Sequence, residues 1–249
     1  MSIFKKLFGK ESKKEDSQTS LNGFSTYEKP DWYSLNELLS LHAGLSLEKQ
    51  LIFGDVIGDN SWQFDMGSGT ISFGDNLTFP VQVIGSLSFN DNSWMWGWAN
   101  AQSGIPEHLL EQSMQLKSIG EEKKVKELVE GHFSVEENFE HKIGMIACGY
   151  FSSKSYYCAN YGQGTLVVTI DSDQIPAIEK SRLEKVITVF PQLIGNIELN
   201  HKEAFVNYLI DRGFQLKVEE DKIEGLNGGK LIVGEFDQLS RLKSLNGKL

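Results

Sequence analysis

FPVQVIGSLSFNDNSWMWGWAN, residues 79–100, decides how this chain is read. Val81, Val83, Leu87 and Phe89 alternate with Gln82, Ser86 and Ser88, so a strand with one apolar and one polar face is expected, Ile84 being the one exception. NDN is turn chemistry, and SWMWGWAN then reads as a second strand running back. On that strand Trp94, Trp96 and Trp98 stand at i, i+2 and i+4, which puts all three indoles on one side. Such a row is either core or a stacking platform ending at Asn100, and these four residues are the candidate binding site.

Working outward, SWQFDM and TISFG precede this pair at meander spacing, separated by MGSG and GDN turns. Upstream, residues 34–49 read as a helix with Ser34 and Glu37 as a capping box and Gly44 weakening its second half. Downstream, IPEHLLEQSMQL and EEKKVKELVEG read as helices. SVEENFEHKIGMIACGYF reads as a third, capped by Ser134 and Glu137, whose apolar C-terminal half should lie across the sheet. KSYYCAN and TLVVTID form a hairpin through YGQG. After Asp173 the pattern restarts: a helix over 175–190 ended by Pro191, then a helix capped by Asn200 and Glu203 with Gly213 past its end. FQLKVEE, DKIEGL and GGKLIVGEF follow as three strands. The expected fold is α+β, an antiparallel meander covered by helices with a C-terminal helix-helix-strand-strand-strand unit. The expected organisation is a tail over 1–30, a main domain over 31–172, and a small unit over 173–249 that is separate or continuous with the main sheet.

Composition narrows the function classes. The chain has 249 residues, 40% hydrophobic and 23% charged, with a formal net charge of −10. Residues 1–30 carry six lysines against four carboxylates, a balance of +2, and the rest carries −12. An acidic body argues against nucleic acid, whose phosphates call for a basic face, and favours a basic protein partner. No apolar run reaches the ~20 residues of a transmembrane helix. Ile3, Phe4, Leu7 and Phe8 make a short amphipathic stripe, so residues 1–14 are read either as a weak membrane or partner contact or as a frayed tail. No secretory signal is legible, which predicts a cytoplasmic protein with Cys148 and Cys158 as reduced thiols.

Catalytic signals are thin. His42, His108, His132, His141 and His201 show no metal-ligand spacing, and there is no nucleophile elbow, phosphate loop or dinucleotide fingerprint. No catalytic residue, metal or cofactor is therefore expected. The best enzyme case pairs His141 with Cys148, seven residues on along one helix face, with Cys158 across the hairpin; burial would make such a thiol inert.

The W-M-W-G-W-A-N segment, followed by a helix and by the helix that precedes the SYYCAN strand, resembles a bacterial family, domain of unknown function 6882. Its members carry a W-x-W-x-W-x-N strand after a Q-x-x-G-S/T strand, and here Gln82, Gly85 and Ser86 of VQVIGSLS match the latter. WQFDMGSGTISF is similar to the family's preceding strand pair. The resemblance covers roughly residues 35–240, through GEFDQLSRL, and implies no activity or site residue. Three classes fit: a non-enzymatic protein-binding factor of the immunity or accessory kind, a small-ligand module using the Trp94–Trp98 row, and an unrecognised hydrolase. Full burial of the indoles would favour the first, a polar-rimmed cleft the second.

Overall fold

The computed structural model describes residues 23–248. The amphipathic stripe expected over residues 3–8 lies outside the described residues. Ser34 opens the first helix, α1 (Leu35–Ile57), its hydroxyl accepting from the Glu37 N–H at 3.2 Å while the Glu37 carboxylate accepts from the Tyr33 N–H at 2.7 Å. This is the expected start, but the helix outruns its expected end at 49. Gly44 does not weaken it. A Cβ there would stand 2.5 Å from the Tyr208 side chain, so the glycine is where a second helix crosses closely.

The meander follows as β1 (Trp62–Asp65), β2 (Thr70–Phe73), β3 (Leu77–Ser88) and β4 (Ser93–Trp96), each antiparallel to the next. Then come α2 (Glu111–Lys123), α3 (Lys126–Val129), β5 (His132–Ser134), α4 (Phe139–Tyr150) and the hairpin β6 (Ser155–Asn160) with β7 (Gly164–Ile170). The chain closes with α5 (Leu183–Asn196), α6 (His201–Asp211), β8 (Gln215–Val218), β9 (Lys222–Asn227), β10 (Lys230–Phe236) and β11 (Leu242–Lys248). One sheet has seven strands, β1-β2-β3-β4-β5 with β7 on β3 and β6 on β7; the other has four, ordered β11-β10-β9-β8. All pairings are antiparallel, and the fold is α+β as expected.

β3 carries a correction to the alternation. Its register against β7 shifts between Val83, opposite Val168, and Gly85, opposite Val167, which leaves Ile84 as the extra residue of a bulge. Before the bulge Phe79, Val81 and Val83 join a cluster with Phe53, Phe73, Val168 and Ile170. Beyond it Leu87 joins Ile84, Trp94, Trp96 and Val167 in a different, larger cluster with α4. Val83 and Leu87 therefore face opposite ways, and the exception at Ile84 is the reason. Phe89, expected to face with them, lies past the strand and is exposed. Nor is the sheet covered on one side only: neighbours Val167 and Val168 point in opposite directions and neither is exposed.

Several boundaries also move. Ser134 does not cap α4; it ends β5, which pairs with β4 through Trp94 and Phe133, and α4 starts after Asn138 at φ 63. The helix expected over 105–116 is a 3-10 turn (Glu107–Leu109) followed by α2, and only Lys126–Val129 of the next expected helix is helical. Residues 175–182 are not α-helical, and Pro191 lies inside α5 instead of ending it. The buried stripe Leu183, Val186, Val189, Phe190 and Leu193 outweighs the one hydrogen bond the proline forfeits. The C-terminal unit has a fourth strand, β11. Asn200 caps α6 as expected, accepting from the Glu203 N–H at 3.1 Å, and Gly213 follows at φ 75.

The larger cluster takes Leu38, Trp96 and Ile146 together with Leu193, Phe205 and Ile232, so residues on both sides of Asp173 share it. Where α1 meets α6 an ion pair is buried, with Glu48 2% and Arg212 0% exposed. Arg212 Nη1 donates to both Glu48 oxygens, at 2.6 Å to Oε1, and the Tyr208 hydroxyl donates to Oε2 at 2.7 Å. Arg212 Nη2 donates to the carbonyls of Glu179, Lys180 and Arg182 at 3.0, 3.0 and 2.7 Å. A buried charge persists only when so matched.

Candidate functional site

The three tryptophans do not form one row. β4 ends at Trp96, and Gly97–Ala99 is a turn of 3-10 helix that takes Trp98 off the strand. Trp94 and Trp96 pack edge to face, ring centroids 5.4 Å apart, and both are 0% exposed. Trp96 Nε1 donates to the Glu127 carbonyl at 2.9 Å, and the Trp94 ring meets Phe139 at 5.6 Å. Gly85 exists for this packing: a Cβ there would stand 2.4 Å from Trp94 Cζ2. Gln82 of the same segment donates to the His108 carbonyl at 2.7 Å and accepts from the Gln112 N–H at 3.3 Å, tying β3 to the start of α2. Ser113 donates to the bulge carbonyl of Ile84 at 3.0 Å and accepts from the Trp98 N–H at 3.3 Å. Trp98 is half-buried with Lys117 Nζ 4.5 Å above its ring. Asn100 spends its side-chain oxygen on the Ser103 N–H at 3.2 Å.

His141 faces Cys158, not Cys148. Its Nδ1 lies 3.7 Å from Cys158 Sγ and 3.5 Å from the Tyr156 hydroxyl, while the Cys148 thiol points at the Ser153 carbonyl, 3.5 Å away. Both cysteines are free. Burial pushes Cys148 up to about 11 and Cys158 well above its ordinary value, so neither supplies a thiolate nucleophile near neutrality. Among the described residues no group of three or more His, Cys, Asp or Glu is arranged to hold a metal ion. His141 also borders a cavity between α1, α4 and α5.

A signal that the sequence held and that counting finds concerns charge. Residues 50–116 contain no lysine or arginine but seven carboxylates: Asp55, Asp59, Asp65, Asp75, Asp91, Glu107 and Glu111. All seven are exposed. None makes an ion pair among the described residues, whereas Asp31, Asp211, Glu130 and Glu224 each do. Hydrogen bonds from Ser68 and the Gly67 N–H hold Asp65 below the usual carboxylate range, and those from Ser88 and Ser93 do the same for Asp91, so both stay ionised. The α1–β1 loop and the β2–β3 turn meet through the Gly74 N–H and Ser61 carbonyl at 3.0 Å, which brings Asp59 and Asp75 to one end of the meander.

The family described as a family of unknown function (DUF6882) matches residues 36–173. The chain belongs to the DUF6882 family. The match runs from α1 to just past β7, so the DUF6882 portion is the seven-stranded sheet with α1 to α4, and it stops short of residue 240, where the resemblance was expected to reach. Neither the curated proteins nor the solved structures gave a match. No helix of the described residues is long and apolar enough to cross a membrane.

Proposed function

We propose that this protein is a non-enzymatic binding factor that docks a basic protein against its meander, in the manner of an immunity or accessory protein. The observation that carries this reading is the run of seven exposed, unpaired carboxylates over residues 50–116. Carboxylates without internal partners gain most when a cationic surface arrives, and their summed field speeds encounter at low salt. The buried Trp94 and Trp96 offer no open stacking face, and the raised thiols disfavour a Cys–His hydrolase. A cytoplasmic setting, in which two free thiols stay reduced, suits the same role. Because the family match ends at residue 173, the α5–β11 region reads as an added unit built onto a shared core.

Affinity capture from the native cell, run with the wild type and with an Asp55→Lys, Asp59→Lys, Asp75→Lys variant, tests the reading. A basic protein should be held by the wild type at low salt, lost as salt rises, and lost from the variant. A partner retained equally by both, independent of salt, would refute it.

A further inference from the structure

The cavity beside His141 has a chemistry of its own, separate from the acidic meander. It measures about 300 Å³, at the lower end of small-molecule sites, and lies between α1, α4 and α5 with Tyr156 of β6 also lining it. Its polar lining is Gln50, Asn138, His141, Gln192 and Asn196, with no Lys, Arg, Asp or Glu; Leu51 and Leu193 supply apolar wall.

Three details show side chains held ready for a ligand. Asn138 precedes α4 in the left-handed region at φ 63, yet its side chain makes no capping bond to the helix. Asn196 donates to the Gln192 carbonyl at 2.7 Å, which fixes the side chain and leaves its oxygen as an acceptor. His141 is fixed by its Nδ1 between the Tyr156 hydroxyl and the Cys158 thiol. The Tyr156 ring cannot swing away, because it packs so closely on α4 that a Cβ at Gly144 would stand 2.3 Å from it. Burial keeps both neighbours protonated, so both can donate to Nδ1, which places the imidazole proton on Nε2 as a donor. Carboxamides present a donor and an acceptor side by side. They match a ligand edge with the complementary pair, and an uncharged lining gives a charged ligand nothing to pair with.

We propose that this cavity binds a small uncharged planar molecule whose edge carries adjacent hydrogen-bond donors and acceptors, the chemistry shared by nucleobases and aromatic carboxamides. The apolar walls take the ring and the carboxamides with His141 take the edge. The test is titration of the full chain with adenine, cytosine and nicotinamide, followed by calorimetry and saturation-transfer NMR, with benzoate and benzylamine as charged controls. At least one neutral probe should bind and both charged probes should not. Its affinity should fall roughly tenfold in Gln192→Ala and in His141→Phe, the loss expected for one ligand hydrogen bond. Gln192 is exposed on α5, so its variant leaves the core intact, and a urea midpoint checks that the His141 variant is folded. Asp59→Asn, on the acidic face, should bind the probe as the wild type does. The inference is overturned if no neutral probe binds, if benzoate or benzylamine binds as well, or if folded Gln192→Ala and His141→Phe bind unchanged.

Discussion

Replacing Trp96 with alanine removes an indole that has no exposed surface. A buried tryptophan covers roughly 150–250 Å², which at about 25 cal/mol per Å² is worth about 4–6 kcal/mol, less the share alanine retains. Losing the Nε1 bond strands the Glu127 carbonyl, which lies 2.9 Å away. That adds about 1 kcal/mol. Partial collapse of the neighbours recovers some of the total, so the net cost should fall at about 3–5 kcal/mol, as for other buried large aromatics. Trp98→Ala, at a half-buried site with only a lysine above the ring, should cost about 1–2 kcal/mol. The assay is equilibrium urea unfolding followed by circular dichroism, with the slope compared so that a change in midpoint reports stability. Trp94 and Trp96 touch edge to face, so the double variant should cost less than the two single costs together by about 0.5–1.5 kcal/mol. A Trp96→Ala midpoint equal to the wild type's, or a larger loss from Trp98→Ala, would refute the placement of the strand's end and of the core.

The buried pair gives a second outcome. Glu48→Gln leaves Arg212 charged and poorly matched, and should cost about 3–5 kcal/mol in the same unfolding assay; adding Arg212→Met should restore part of it. Two glycines of α1 should respond with opposite signs. Gly44→Ala forces apart two crossing helices and should destabilise by about 1–3 kcal/mol, while Gly54→Ala, which meets nothing within 4 Å, should stabilise by about 0.5–1 kcal/mol. His42 is pushed from 6.5 down to about 3, first by burial and then by Lys29 and Lys49, with the Tyr150 ring beside it. Its folded pKa is depressed, so its neutral form favours folding above 6.5 and that advantage is lost as pH falls toward 3. The slope should approach 1.4 kcal/mol per pH unit in that window, and His42→Gln should flatten it.

What the sequence disclosed, and what it withheld, follows the range of the forces involved. The α1 start, the YGQG hairpin and the Asn200 cap were legible because each depends on neighbours within a few residues. β5 was missed because it has three residues and exists by pairing with β4. β11 was missed because LKSLNGK has little strand character; pairing with β10 makes it a strand. The placement of Trp98 failed because strict alternation was continued through Gly97, where the backbone turns. Glu48 and Arg212 are 164 residues apart, and nothing local marks either as buried. Of the candidate site, the tryptophan cluster was legible as apolar mass but not as geometry. His141 was legible as Cys158's neighbour only once the hairpin had folded against α4.

The bulge at Ile84 has a consequence for how the gene can change length. Deleting that one codon would not merely shorten β3. It would reverse the parity of every later residue in the strand, turning Leu87 away from α4 and presenting Ser86 in its place. Adding or removing a residue in the exposed 89–92 turn or the 161–163 turn leaves the parity on either side untouched. Insertions and deletions tolerated in this sheet should therefore collect in its turns, and the stretch from Phe79 to Leu87 should be passed down with its length unchanged.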